Sequence, residues 1–540
     1  MDAFGGNDEE SMELRKLLAE VAEDPDSFEV WEKLVRTAEA LEGGINRNSS
    51  SQAITAVRDV YDRFLAKFPL FFGYWKKYAD LEFSIAGTEA AEMVYERGVA
   101  SITNSVDLWT NYCSFKTETS HDVEIIRELF ERGSACVGLD FLSHPFWDKY
   151  IEFEERNEQP DRIFNILSRV ILIPMHQYAR YFERYRQLAQ NKAIALLVPP
   201  QTLTQIQMEV ENEGLGYKAG HSQAEVEREL RLRIDGVHLE GFRKTQAETT
   251  KRWTYESEIK RPYFHVTDLD EGQTANWRKY LDFEEAEGDY SRIQFLYERC
   301  LVTCAQHEEF WLRYARWMLA QPGKDEEVRN IYQRASCIFV PIALPRSRLQ
   351  YAYFEEMSGR VDVAKDIHEA ILVQLPSHVE TIVSLANTCR RHGTIDDALA
   401  VYQSQLQIPT VEPSTKAAIV AEWARLVWKV KGSPDEARQL FLLNKAPLTD
   451  CEAYWRAYLK FEIDQTTTAE TEKDHYDLIK NVANEILQHK STLPELVTKS
   501  LVAIYMEYLL ERGTKDGAKE YLNLDREING PASVRGLKGK

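Results

Sequence analysis

The chain has 540 residues, 28% of them charged and 44% apolar, too many for one compact core and too apolar for disorder. Its 66 basic and 87 acidic residues leave a net charge of −21, which excludes a protein that wraps nucleic acid along its whole length. Only 25 glycines and 18 prolines exclude a turn-rich all-β or collagen-like chain, and seven scattered cysteines speak for a reducing compartment over a disulfide framework.

Residues 1–11 form an acidic tail without the apolar centre of a signal peptide. No apolar run approaches the ~20 residues of a membrane span, so no membrane is expected. From 12 to 190 a repeat sets in. Tryptophans stand at 31, 75, 109 and 147, and again at 277 and 311. Each is followed by an aromatic or aliphatic residue, any residue, and arginine: Tyr61-Asp-Arg63, Tyr95-Glu-Arg97, Phe130-Glu-Arg132, Leu167-Ser-Arg169, Tyr297-Glu-Arg299 and Tyr332-Gln-Arg334. The spacing from tryptophan to arginine is 22 or 23 residues in the repeats opening at Trp75, Trp109, Trp147, Trp277 and Trp311.

Each unit predicts two helices. Trp277, Tyr280, Leu281 and Glu284 share one face of the first, and Ile293, Leu296, Tyr297, Cys300, Leu301 and Cys304 form a stripe on the second. Neither helix buries its stripe alone, so the repeats must stack. The expected repeat core comprises Trp75, Tyr95, Arg97, Trp109, Arg132, Trp147, Arg169, Trp277, Tyr297, Arg299, Trp311 and Arg334. Glu82, Glu154 and Glu284 lie seven residues after their tryptophans. They are expected to meet Arg97, Arg169 and Arg299 across the same helix pair.

The register fails over 191–235, where Pro199-Pro200 and the glycine-rich run 213–220 predict an irregular connector with a mobile loop. A charged linking helix is expected over 236–262, stopped by Arg261-Pro262. A second arm then runs over 263–525, with helix starts at Thr394 to Asp397 and at Ser433-Pro-Asp-Glu436. Residues 526–540 form a basic tail carrying Arg535, Lys538 and Lys540. The expected fold is all-α: an α-solenoid of helix pairs in two arms. Leu501, Ile504, Tyr505, Tyr508 and Leu509 give the last repeat more apolar surface than a capped end requires. They form the candidate dimer interface.

The sequence holds no H-E-x-x-H, no phosphate-binding G-x-x-x-x-G-K-[ST] and no G-x-S-x-G. Gly214, Gly216 and Gly220 miss the dinucleotide spacing. Cys300 and Cys304 sit on an apolar stripe, which favours packing over metal binding. His144 and His265 read as capping or packing residues. The tryptophan-tyrosine ladder reads as core and not as a platform for RNA bases. Residues 228–261 carry nine basic and six acidic side chains and read as a mixed solvated helix. No catalytic residue, cofactor or metal is expected, and hence no enzyme.

The pattern Trp-x-x-Tyr-x-x-Phe-Glu with Tyr-Glu-Arg resembles the HAT (half-a-tetratricopeptide) repeat of RNA-processing proteins. The stretches 68–82, 137–154 and 261–266, with 276–284 and 296–301, resemble the pre-mRNA-processing factor 39 family more specifically. That resemblance implies a nuclear, non-catalytic scaffold of the U1 small nuclear ribonucleoprotein, acting in pre-mRNA splicing at 5′ splice-site recognition. It implies protein partners within that particle, and dimerisation through the C-terminal repeats with itself or a paralogous HAT protein. Direct RNA contact would be weak. The alternatives are a HAT scaffold of mRNA 3′-end cleavage or ribosomal RNA processing, and a tetratricopeptide-like chaperone adaptor.

Overall fold

The computed structural model describes residues 9–489 and 492–530, and these contain 26 α-helices and no strand. Most of the acidic start, and Arg535, Lys538 and Lys540, lie outside the described residues. The chain opens with α1 (Glu9–Glu23), α2 (Phe28–Ala40), α3 (Ser51–Lys67), α4 (Phe72–Ala86) and α5 (Thr88–Ser101). It continues with α6 (Val106–Thr119), α7 (Val123–Val137), α8 (His144–Arg156), α9 (Pro160–Val170) and α10 (Tyr178–Ala189). Next come α11 (Pro200–Asn212) and the long α12 (Gln223–Glu256). Then follow α13 (Glu271–Glu287), α14 (Tyr290–Thr303), α15 (Glu308–Leu319), α16 (Asp325–Arg334), α17 (Arg346–Met357), α18 (Val361–Gln374) and α19 (Val379–His392). The last are α20 (Ile395–Gln407), α21 (Pro413–Leu426), α22 (Pro434–Leu443), α23 (Glu452–Ile463), α24 (Glu472–Gln488), α25 (Glu495–Glu511) and α26 (Lys515–Asn529).

Local chemistry sets many of these boundaries. Ser50, Ser105, Asp122, Asp270, Asp289 and Thr514 accept hydrogen bonds from the first free backbone N–H groups of their helices. Thr394 and Asp397 form a reciprocal capping box at α20. Ser433 occupies the cap position of α22, but its side chain makes no capping bond. The α-solenoid of helix pairs is present: tryptophan-bearing helices alternate with the helices of the aromatic- or aliphatic-x-Arg motif from α2 to α9 and from α13 to α16.

The region between those stretches differs from the sequence reading. The expected irregular connector contains α11, and the linking helix begins at Gln223, well before 236. A capping box of Ser222 and Glu225 starts it, a signal overlooked among the glycines. Glu211 receives the N–H groups of Tyr217 and Lys218, which pins the glycine-rich loop. The helix ends at Glu256, before the proline. There the Gln273 carboxamide takes over two backbone groups, donating to the Glu258 carbonyl at 2.6 Å and accepting from the Lys260 N–H at 3.0 Å.

The chain forms two compact units, one reaching Phe310 and the other beginning at Trp311. The first unit thus includes α12, α13 and α14 along with the N-terminal array, instead of ending near 190. Thr245 on α12 donates to the Ile171 carbonyl at 2.9 Å, and the Arg186 guanidinium clasps Asp235 at 2.8 and 3.0 Å. In the second unit, two adjoining clusters built from α18 to α21 and from α21 to α26 form the core of the C-terminal repeats.

Candidate interaction surfaces

The repeat tryptophans are spent on packing. Trp75, Trp109, Trp147, Trp277 and Trp311 are each at most 3% exposed. Most indole N–H groups donate to a backbone carbonyl in the loop before their own helix: Trp31 to Pro25, Trp75 to Pro69, Trp109 to Thr103, Trp147 to Gly138 and Trp455 to Thr449. The motif arginine of the same repeat covers the ring. The guanidinium lies 5.2 to 5.8 Å from the ring centre in the pairs Arg97–Trp75, Arg132–Trp109, Arg169–Trp147, Arg299–Trp277 and Arg334–Trp311. Tyr95 and Tyr297 are buried beside them.

Arg97, Arg132 and Arg169 then reach back one repeat. Arg97 binds Asp62 at 2.8 Å, Arg132 binds Glu96 at 2.9 and 3.0 Å, and Arg169 binds Glu131 at 2.8 and 2.9 Å. The acceptor is the acid in the middle of the preceding repeat's motif. It also accepts the hydroxyl of the next repeat's tyrosine, Tyr112 onto Glu96 and Tyr150 onto Glu131, both at 2.7 Å. Arg132, then Tyr112, hold the Glu96 carboxyl below its usual range. Burial pushes Glu131 the other way, but Arg169 and Tyr150 overcome it and its carboxyl is also lowered. Burial and the same carboxylates push the Tyr112 and Tyr150 hydroxyls well up.

The expected pairs of Glu82, Glu154 and Glu284 with Arg97, Arg169 and Arg299 do not form. These glutamates bind a different arginine, one turn before the motif aromatic of the preceding repeat. Arg58 meets Glu82 at 2.7 and 2.8 Å, Arg127 meets Glu154 at 2.6 and 2.9 Å, and Arg252 meets Glu284 at 2.7 and 3.0 Å. Arg329–Glu355 and Arg438–Glu462 repeat the contact in the second unit. At Trp109 the charges are exchanged: Lys116 stands in the glutamate position and binds Glu92 at 2.6 Å. The physical reason is register. The motif arginine follows its aromatic by two residues and covers its own tryptophan, while the residue three before the aromatic faces the following helix.

The sequence reading also missed the stacks that join repeats. The motif aromatic lies parallel to the tyrosine of the next helix in Tyr61–Tyr78, Tyr95–Tyr112 and Phe130–Tyr150, with centroids 4.7 to 5.0 Å apart and planes within 8°. Tyr255–Tyr280 has the same geometry at 5.0 Å and 7°. The C-terminal end of α12 is therefore the second helix of a repeat in its own right. Arg252-x-x-Tyr255-Glu256 was the signal, without the tryptophan that marked the others.

Arg299 sits where these elements converge. Its guanidinium binds Glu256 at 2.5 and 2.8 Å and Asp140 at 3.1 Å, all three side chains buried. Burial pushes the Asp140 carboxyl up despite the arginine. A buried cation holding two carboxylates is costly to break on one side only.

The candidate dimer residues lie mostly inside the chain. Leu501, Tyr505 and Leu509 are buried, and Ile504 and Tyr508 pack half-buried against the same core. The apolar stripe of α25 is consumed by α23, α24 and α26 of its own array. The apolar groups that remain open in that region are others: Leu443 at 77% exposure, Leu496 at 81% and Leu522 at 66%. A shallow apolar groove adjoins Leu443, lined by Leu399, Trp423, Val427 and Leu440. Cys300 and Cys304 are buried, and among the described residues no group of three histidine, cysteine or acidic side chains is placed to hold a metal ion. No helix among the described residues is long and apolar enough to cross a membrane.

Comparison with known proteins decides the family. Residues 15–187 match the PRP39 N-terminal HAT repeat model, and residues 250–391 match the PRP39 C-terminal HAT repeat model. Pre-mRNA-processing factor 39 of Schizosaccharomyces pombe is 50% identical over 538 residues, covering 97% of this chain and 88% of that protein. The chain belongs to the pre-mRNA-processing factor 39 family. The human family member is 31% identical over 466 residues, spanning 80% of this chain and 66% of its own length. The U1 small nuclear ribonucleoprotein component PRP42 of Saccharomyces cerevisiae is 23% identical over 313 residues, 56% of each chain. The solved structure of CSTF-77 overlaps 85% of this chain and 95% of its own at 13% identity and a TM-score of 0.49, too loose a likeness to bear on function. The second family match begins at residue 250, inside α12, where the arginine-tyrosine-glutamate run of a repeat helix begins.

Proposed function

We propose that this HAT-repeat splicing factor is a non-catalytic scaffold of the U1 small nuclear ribonucleoprotein, working in the nucleus at 5′ splice-site recognition by holding protein partners. The observation that carries this reading is the use of the aromatic and ion-pair ladder. Trp75, Trp109, Trp147, Trp277 and Trp311 are each buried under an arginine, and those arginines whose partners are described above are engaged with carboxylates. That takes these tryptophans out of reach of RNA bases and neutralises those arginines. With a net charge of −21, contact with RNA is weak and secondary. Family membership supplies the splicing context, and the PRP42 relative points to the U1 particle.

The scaffold self-associates through the second unit, as a homodimer or with a paralogous HAT protein. The buried α25 stripe is not its surface. Leu443 and the groove of Leu399, Trp423 and Leu440 beside it have the exposed apolar character such an interface needs. Affinity purification of the tagged chain from nuclear extract tests the reading. U1 small nuclear RNA and its proteins are expected to co-purify. Recovery of cleavage factors or ribosomal RNA precursors without U1 RNA would contradict it.

A further inference from the structure

The charges locked around Arg299 do not balance. One guanidinium meets two carboxylates, Glu256 and Asp140, and the additional group on Glu256 is the neutral hydroxyl of Tyr280, donating at 2.9 Å. With both carboxyls ionised, one negative charge is left uncompensated in the interior. Asp140 is 5% exposed, and besides Arg299 it meets the Leu142 N–H, which donates at 2.7 Å. Burial raises the Asp140 carboxyl, Arg299 pulls it down, and the carboxylates of Glu256 and Asp107 raise it again.

Asp140 and Arg299 also line a pocket. About 110 Å³ of space lies where the loops before α6 and α8 meet α14 and the non-helical segment between α12 and α13. Its apolar walls include Phe72, Ile102, Val106, Leu142, Pro262 and Tyr263. Asp107, in the first turn of α6, stands exposed at its rim, and the desolvation it does suffer raises its carboxyl with no cation to oppose it. Around the pocket large apolar side chains face water. Leu142 is 41% exposed and Tyr263 47%. Trp253 of α12, 51% exposed, has its ring centre 6.1 Å from that of Phe141, which lies between Asp140 and Leu142 in the chain. Exposed rings beside a pocket for one side chain mark a protein-docking surface, because the rim excludes water from the anchored group.

We propose that this pocket takes a lysine side chain from a partner protein, its ammonium meeting Asp140 and Asp107 and its apolar neighbours covering Leu142, Tyr263 and Trp253. The apolar walls suit the methylene stem of lysine, which buries readily while its charged head seeks a carboxylate. A compact ammonium fits the space better than the planar fork of arginine. Its arrival supplies the charge that Arg299 alone does not, and relieves the repulsion between carboxylates that burial makes costly. A metal ion is a poorer occupant, since among the described residues no third carboxylate or imidazole is placed to complete its shell. This goes beyond the U1 assignment and stands whichever particle the chain joins.

The test uses the full-length chain and the peptide acetyl-Gly-Leu-Lys-Leu-Gly-amide, followed by saturation-transfer NMR on the peptide. A second peptide carries norleucine in place of lysine, which keeps the side-chain carbons and lacks the ammonium. Saturable binding of the lysine peptide is expected, about tenfold tighter than the norleucine peptide, some 1.4 kcal/mol. Asp107→Asn should weaken the lysine peptide and leave the norleucine peptide unchanged, while Trp253→Ala should weaken both. Both positions are exposed, so circular dichroism should show an unchanged helix content. Absence of saturation, equal binding of the two peptides, or wild-type binding of the lysine peptide by Asp107→Asn overturns the proposal. So does n-butylammonium chloride binding as tightly as the lysine peptide, because the pocket would then serve a free amine and not a protein segment.

Discussion

Lys116 and Glu92 make the contact that Arg58 and Glu82 make one repeat earlier, with the charges exchanged. Both partners are largely buried, so the pair is worth more than a surface bridge. Lys116→Glu alone sets two carboxylates together and should destabilise the first unit by about 1–3 kcal/mol. Adding Glu92→Arg restores the orientation used by the other repeats and should recover most of that loss. Urea unfolding of the two variants checks it, and simple additivity of the two losses would contradict the pairing. Trp277 lies fully buried under Arg299, so Trp277→Ala should cost about 3–5 kcal/mol. An unchanged unfolding profile would show the ring to be dispensable. His368 gives a pH signature in the second unit. It is fully buried against the Ala364 carbonyl and the Ser384 hydroxyl, and burial lowers its pKa below the ordinary 6.5. Unfolding releases a histidine that binds protons more readily, so its contribution is complete above pH 6.5 and is lost as pH falls below that value. His368→Gln should flatten that slope, and an identical pH dependence would contradict the assignment.

At the scale of helices, the positions that carry one strong local signal were readable from sequence. The tryptophans, the motif aromatics and the capped start at Thr394 all follow from periodicity and from unpaired backbone groups. What was not readable depends on which of two nearby residues faces a neighbour. Arg97 and Arg58 are both arginines near a motif aromatic, and only packing shows that Arg58 takes Glu82 while Arg97 covers Trp75. Helix α12 was misplaced for a related reason: its early turns lie among glycines, and its last turns form a repeat helix whose partner lies beyond a proline. The glycine in the second helix of the third repeat is a consequence of the same close stacking. A Cβ at Gly133 would come within 2.6 Å of the Phe146 ring and 3.1 Å of Trp109. Gly133→Ala gains about 1 kcal/mol of helix propensity but overpacks two rings at about 1–3 kcal/mol. A net loss of stability is expected on thermal unfolding, and a stabilised variant would mean that α7 and α8 can separate without cost.

For the whole molecule, the chain folds as two compact units, one reaching Phe310 and the other beginning at Trp311. The first packs residues 260–265 against its own loops and locks Asp140, Arg299 and Glu256 together, and the second leaves Leu443, Leu496 and Leu522 exposed. Self-association is expected there. Full-length chain should scatter light as a dimer at micromolar concentration, and Leu443→Glu should shift it toward monomer without changing helix content. A monomeric wild-type chain would remove self-association from the account. If the ladder is internal and the proposed scaffold works through proteins, the purified chain should not capture RNA tightly. Titration of labelled U1 small nuclear RNA with the purified chain at physiological salt tests it most directly. No saturable binding is expected below micromolar concentration. Tight, saturable binding that Trp75→Ala or Arg132→Ala abolishes in a folded protein would contradict it, because the ladder would then be a surface for RNA.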